Sequence, residues 1–130
     1  MYQILIVDDE EDLARYLAAE LRAAGFTAGI AYNGVDAVLK VLDDKPDVVL
    51  MDIRMPKLDG LGALRIIRRI APAAPVIMFT GQAGQGDMLE SMRLGAFSCL
   101  VKPLAIEKVI NTLRQAMSQA LPIEAAYLGR

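Results

Sequence analysis

Histidine and tryptophan are absent from this 130-residue chain, and cysteine occurs once, as Cys99. Without an imidazole there is no His-dependent catalytic triad and no His-ligated metal. A lone cysteine can form neither an intrachain disulfide nor a cysteine cluster around zinc. No apolar run reaches the ~20 residues that span a bilayer, so no membrane association is expected. Positive charge is not in excess either: 14 Lys and Arg stand against 16 Asp and Glu, a net charge of -2. That balance removes the general electrostatic reason to expect nucleic-acid binding. The opening stretch MYQILIVDDEED carries acid where a secretory leader carries base, and a cytoplasmic location is the expectation. What the chain does have is apolar content, at 55%, enough for one domain burying roughly two-thirds of the surface its unfolded form exposes.

The most informative stretch is VVLMDIRMPKLDG, Val48 to Gly60. It begins as an unbroken apolar run, the mark of a strand covered on both faces, and the run ends on one carboxylate, Asp52. Pro56 and the Asp59-Gly60 pair then break the chain. Asp52 is therefore expected at the carboxyl end of a buried strand, the edge where open α/β sheets place their chemistry. A charge beside a dry core costs free energy unless a cation or hydrogen-bond donors meet it.

Along the chain, Gln3 to Val7 reads as a β-branched strand ending in the acids Asp8, Asp9, Glu10, Glu11 and Asp12. A helix follows with Leu13, Leu17, Leu21 and Ala24 at helical spacing, acids at its positive end, and Gly25 as its stop. Thr27 to Ala31 is a weaker second strand. After Asn33-Gly34, the residues Val35, Val38, Leu39 and Leu42 are expected as the inward stripe of a short helix, and Asp47 to Met51 is the central strand. Leu61, Leu64, Ile67 and Ile70 predict an amphipathic helix with Arg65, Arg68 and Arg69 mostly on its other side. Val76 to Phe79 is a fourth strand ending at Thr80-Gly81. A glycine-rich stretch through Gly84 and Gly86 leads into a weak helix through Met88, Leu89, Met92 and Leu94. Phe97 to Val101 is a fifth strand before Lys102-Pro103, and a last helix starts near Ala105 with Ile106, Val109, Ile110, Leu113 and Met117 inward. The domain is expected to end at residue 121, with 122–130 a tail or the start of a linker.

Five strands alternating with five helices predict a doubly wound five-stranded parallel sheet of order 2-1-3-4-5, flavodoxin-like. That order brings Asp8, Asp9, Asp52, Thr80 and Lys102 around one pocket. Taken singly, each has a plain structural reading: an acidic helix start, a turn-initiating Asp, a β-forming Thr, a surface Lys. Their joint placement is what points to chemistry. Converging carboxylates repel, and a hard divalent cation with oxygen ligands relieves the repulsion, which suggests Mg²⁺. A cation, an ammonium and a hydroxyl around one carboxylate suit the three phosphoryl oxygens of an aspartyl phosphate. An FMN-binding enzyme at the same switch point would have to seat an anion against Asp8, Asp9 and Asp52, and the chain lacks Ser/Thr-rich phosphate loops. A binding module that has lost its chemistry would have no need of the intact acids.

Four segments, each at an expected strand end, carry a resemblance: ILIVDDEED, MDIRMPKLDG, MFTG and LGAFSCLVKP. With them the chain resembles the receiver domains of two-component response regulators over residues 2 to 121. The resemblance implies that Asp52 is the phosphoacceptor, charged by a sensor histidine kinase or a phosphotransfer protein, in a domain that catalyses its own phosphorylation and dephosphorylation. It implies Mg²⁺ held by Asp9, Asp52 and the backbone carbonyl of Arg54, with Asp8 assisting, and Thr80 and Lys102 on the phosphoryl group. It further implies a cis Lys102-Pro103 bond, a tuning of phosphate lifetime by Arg54 and Gln82, and a downstream protein or output domain reading the fourth-helix, fifth-strand and fifth-helix face. One position departs from the family pattern. Where an aromatic ring usually stands, three residues before the lysine, this chain has Cys99, a small buried hydrophobe with no ring to swing.

Overall fold

The computed structural model describes residues 2–81 and 85–128, with side chains described for 2–81 and 86–118. Its strands are β1 Gln3–Val7, β2 Thr27–Ala31, β3 Val48–Asp52, β4 Val76–Thr80 and β5 Ser98–Val101. They alternate with helices α1 Glu11–Ala23, α2 Gly34–Asp44, α3 Gly60–Ile70, α4 Gln85–Arg93 and α5 Ile106–Leu128. All four strand pairings are parallel and the order is β2-β1-β3-β4-β5, as the alternation predicts.

Strand periodicity divides the core into two layers. Ile4 and Ile6 of β1, Val48 and Leu50 of β3, and Ile77 and Phe79 of β4 face α1 and α5, where Leu17, Leu21, Val109 and Leu113 meet them. Leu5 and Val7, Val49 and Met51, and Val76 and Met78 face the other way, onto Ala37 and Val41 of α2 and Ala63, Leu64 and Ile67 of α3. Strands apolar on both faces need helices on both sides, and that requirement forces the crossover topology. Register then aligns the strand ends: Val7 pairs with Met51, Asp52 with Phe79, and Thr80 with Val101.

Several helix faces differ from the sequence expectation. In α2 the buried residues are Gly34, Ala37 and Val41, whereas Val35, Leu39 and Leu42 are exposed. The cause is a close approach: a Cβ on Gly34 would lie 2.2 Å from the carbonyl oxygen of Leu58. Small residues therefore turn inward so that the helix can seat on the β3–α3 loop, and the bulkier residues rotate outward. Ile70 at the end of α3 is likewise exposed rather than inward, and on the weak helix α4 both Leu89 and Met92 are exposed. On α4 the buried side chain is Ser91, whose hydroxyl donates to the carbonyl of Asp87 at 2.9 Å. The last helix runs to Leu128. Gln82 and Gly84 lie outside the described residues.

Candidate functional site

Asp52 is the last residue of β3, the middle strand of the sheet, with every residue of that strand buried. Its surroundings are set by two close backbone approaches. Ile53 N–H donates to the carbonyl of Phe79 at 3.0 Å, and Gly60 N–H donates to that of Ile53 at 2.8 Å. Gly60 opens α3 so near the strand that a Cβ there would fall 2.1 Å from the Asp52 carbonyl oxygen, which only glycine avoids. Asp59 caps the helix, its carboxylate accepting from Gly62 N–H at 2.9 Å. The β3–α3 loop is thus tied down at both ends and holds the Asp52 carboxylate at the sheet edge.

Around it stand the other strand ends. Asp8 follows β1 and is completely buried; its Oδ1 accepts Glu10 N–H at 3.0 Å, while its Oδ2 is buried without a hydrogen-bond partner among the described residues. Burial, reinforced by the charge of Asp52, raises the Asp8 carboxyl from 3.8 to about 7, against the lowering pull of the Glu10 N–H and of Lys102. Lys102 follows β5 and reaches back over the pocket. Its Nζ lies 3.0 Å from Glu10 Oε1, 3.4 Å from Asp52 Oδ2 and 3.8 Å from Asp8 Oδ2, and 5.4 Å from the centre of the Phe79 ring. Burial pulls its pKa down, but the Glu10 hydrogen bond and the Asp52, Asp8 and Glu10 charges outweigh that, and the net displacement is upward. The bond between Lys102 and Pro103 is cis. Thr80, at the end of β4, is fully buried, and its carbonyl accepts Lys102 N–H at 2.8 Å. Arg54 donates its backbone N–H to Asp52 Oδ1 at 3.3 Å and sends its guanidinium to Asp87 of α4, at 2.6 Å.

The residues singled out from the sequence therefore meet at one edge, with one redistribution among the acids. Among the described residues, the carboxylates whose oxygens lie within 4.8 Å of one another are those of Asp8, Glu10 and Asp52; Asp9, exposed like Glu10, stands outside that group. Glu10 was visible in the sequence only as one member of an acidic run. Its backbone N–H closes a turn on Asp8, and its side chain accepts from Lys102 Nζ, a partner 92 residues away. The donor set suits a hard divalent ion: oxygen ligands only, one of them an orphaned buried carboxylate oxygen. Cys99 is partly buried on β5 opposite Met78. Burial pushes its thiol pKa up, partly offset by hydrogen bonding with Ser91, the opposite of what a reactive thiol requires.

A doubly wound α/β domain with acids, a lysine and a threonine at the carboxyl edge of its sheet is thus the class of protein present. Residues 4–114 match the family model of the response regulator receiver domain, and the chain belongs to that family. It is 38% identical over 127 residues to the Regulatory protein AtoC of Escherichia coli, covering 97% of this chain and 28% of that protein. It is 30% identical over 124 residues to the Response regulator MprA of Mycobacterium bovis, covering 95% of this chain and 54% of that one. The chain thus spans from about a quarter to about half the length of these relatives. Among solved structures it resembles a response regulator receiver domain protein from Clostridium thermocellum, with a TM-score of 0.90, 27% identity, and 95% of this chain and 99% of that chain covered. NtrX from Brucella abortus, in a structure described as a complex with ATP, matches with a TM-score of 0.90 and 29% identity over 98% of this chain and 29% of that one.

Proposed function

We propose that this domain accepts a phosphoryl group on Asp52 from a histidine kinase or phosphotransfer protein and uses the modified state to switch a partner or an attached output module. The observation that carries the proposal is the paired restraint on the Asp52 carboxylate. One oxygen accepts from Arg54 N–H at 3.3 Å, and the other faces Lys102 Nζ at 3.4 Å, so the nucleophile is oriented while its charge is met.

In the transfer, a carboxylate oxygen of Asp52 forms a bond to phosphorus as the bond from phosphorus to the donor imidazole nitrogen breaks, the electron pair leaving with the imidazole. Lys102, already over the pocket, meets one phosphoryl oxygen with its ammonium, and the Thr80 hydroxyl donates to another. Asp8, Glu10 and Asp52 would hold Mg²⁺, with Asp9 and the Arg54 carbonyl as the further ligands that the family resemblance suggests. When bound, the ion screens the anionic donor from the anionic nucleophile and stabilises charge on the transferred group. The exposed apolar side chains Leu89, Met92 and Val101 support the α4, β5 and α5 face as the partner's docking surface.

Incubation with acetyl phosphate and Mg²⁺ should add one phosphoryl group by intact mass, mapped by peptide sequencing to Asp52 and lost in Asp52→Asn or on chelation. Label on another aspartate, or equal labelling of Asp52→Asn, defeats the proposal. Titration of Mg²⁺ into Asp9→Ala and Glu10→Ala separates the two candidate ligands: the variant that binds like the parent identifies a residue outside the metal shell.

A further inference from the structure

Arg54 connects the phosphoacceptor to α4 through its side chain as well as through its place in the loop. Its backbone N–H holds Asp52 Oδ1, and its guanidinium spans to Asp87 Oδ2 at 2.6 Å, between residues 33 apart in sequence. The two ends of that ion pair are unlike. Arg54's side chain is 76% exposed and free to be redirected, whereas Asp87's is 18% exposed, in the first turn of α4. Asp87 is itself built into the helix, because its carbonyl receives the hydroxyl of the fully buried Ser91.

We propose that Asp87 is a positioning residue: it holds the Arg54 guanidinium on α4 while Asp52 is unmodified and surrenders it to the phosphoryl group once Asp52 is modified. The inference rests on the phosphoacceptor reading of Asp52 and adds to it the element that carries the change outward. A phosphoryl group brings up to about two negative charges and strong acceptor oxygens to a site adjoining the Arg54 backbone. It competes for the guanidinium against a single carboxylate, and a planar fork of donors favours the phosphoryl oxygens. Once the guanidinium leaves, the largely buried Asp87 carboxylate loses its cationic partner and keeps the favourable pull of the helix N-terminus. The first turn of α4 then loosens, and its exposed Leu89 and Met92 shift with it. Cys99 cannot supply the swinging ring that would otherwise link the pocket to this face, and the Arg54–Asp87 exchange provides a route that does not need one.

The test is amide exchange across residues 86–93 in the parent, Asp87→Asn, Asp87→Glu, Arg54→Gln and the Asp87→Asn/Arg54→Gln double variant, with and without beryllofluoride and Mg²⁺. Without the phosphoryl mimic, Asp87→Asn and Arg54→Gln should each speed exchange about two- to five-fold, the scale of a partly exposed ion pair. The double variant should go no further than the faster single, and Asp87→Glu should keep the parent's rate. With the mimic, the parent should rise to the level of Asp87→Asn, which should not respond further. The aspartyl phosphate lifetime should change in Asp87→Asn, where Arg54 is free, and this change should vanish in the double variant. Additive single effects, or an Asp87→Asn variant whose α4 responds to the mimic as the parent's does, overturn the proposal. Failure of the phosphoacceptor reading is seen separately, as a parent that takes up no phosphoryl group on Asp52.

Discussion

Replacing Asp8 by asparagine tests the electrostatics of the pocket without touching the nucleophile. Asp8 is completely buried, one of its oxygens has no hydrogen-bond partner, and its carboxyl is raised from 3.8 to about 7, chiefly by burial. A carboxyl with a higher pKa folded than unfolded makes the native state the better proton acceptor. The resulting stability is present in full below the unfolded value near 3.8 and is lost as pH rises toward 7. At about 1.4 kcal/mol for each tenfold change in proton affinity, the rise sets an upper limit of about 4 kcal/mol on what ionised Asp8 costs the apo fold above neutrality. Asparagine removes the charge and keeps an acceptor for Glu10 N–H, but it turns amide donors toward Lys102, so a gain of about 1–3 kcal/mol is expected at pH 8. Urea unfolding of chelator-treated protein should show Asp8→Asn more stable than the parent at pH 8, with the gap closing as pH falls toward 4. Saturating Mg²⁺ should stabilise the parent and narrow or reverse the gap, because an ion bound only by the native state adds its binding free energy to folding. A variant less stable than the parent at pH 8 without divalent ions, or a gap independent of pH, refutes the assignment of burial of the Asp8 charge as the dominant strain in this pocket.

Gly60→Ala should lower stability by about 1–3 kcal/mol in the same urea assay, because the new methyl meets the Asp52 carbonyl oxygen at 2.1 Å, and phosphorylation should slow as the loop shifts. Leu17→Ala, which empties a fully buried site under α1, should cost about 2–5 kcal/mol while leaving labelling of Asp52 in the folded protein intact. Thr80→Ala should suppress the amide-exchange response of residues 86–93 to beryllofluoride, since it removes a charge-assisted hydrogen bond worth about 1.5–3 kcal/mol. Cys99→Ser should leave that response nearly unchanged, and its loss there would assign the thiol a specific role.

The ends of β3 and β4 were legible because each is the point where an apolar run stops, and a strand buried along its whole length is written as such a run. Asp52, Thr80 and Lys102 fall at or just beyond such points, so topology alone gathers them. Helix faces were less legible where small residues set the packing. The α2 stripe of Val35, Leu39 and Leu42 is the one hydrophobicity favours, yet Gly34 and Ala37 are buried because the helix must approach Leu58. That constraint comes from a loop more than a dozen residues downstream and leaves no periodic trace. Glu10 was hidden for a similar reason: its partner Lys102 is 92 residues away, and its neighbours Asp8, Asp9 and Glu11 carry the same charge.

The pocket's charges also explain why its acids and its lysine must be considered together. Replacing Asp8, Glu10 and Asp52 by apolar groups would relieve repulsion, yet Lys102, with a side chain only 17% exposed, would then be a largely buried cation without a counter-charge. Replacing Lys102 instead would leave Asp52 and Asp8 facing each other without the ammonium that now pairs with both. Each charge is tolerable because the others are present, and the excess of carboxylate over ammonium leaves a net negative pocket suited to a divalent ion. A phosphoryl group entering beside that ion and Lys102 would draw them toward itself and away from the apo contacts. The groups free to follow are side chains that can be redirected: Arg54, which is largely exposed and paired with Asp87, and Lys102, which shares its ammonium among Glu10, Asp52 and Asp8, whereas Asp52, fixed by the buried β3 strand and the Gly60 approach, is not. Response at this edge should therefore begin in side chains and at the start of α4, with the five strands keeping their register.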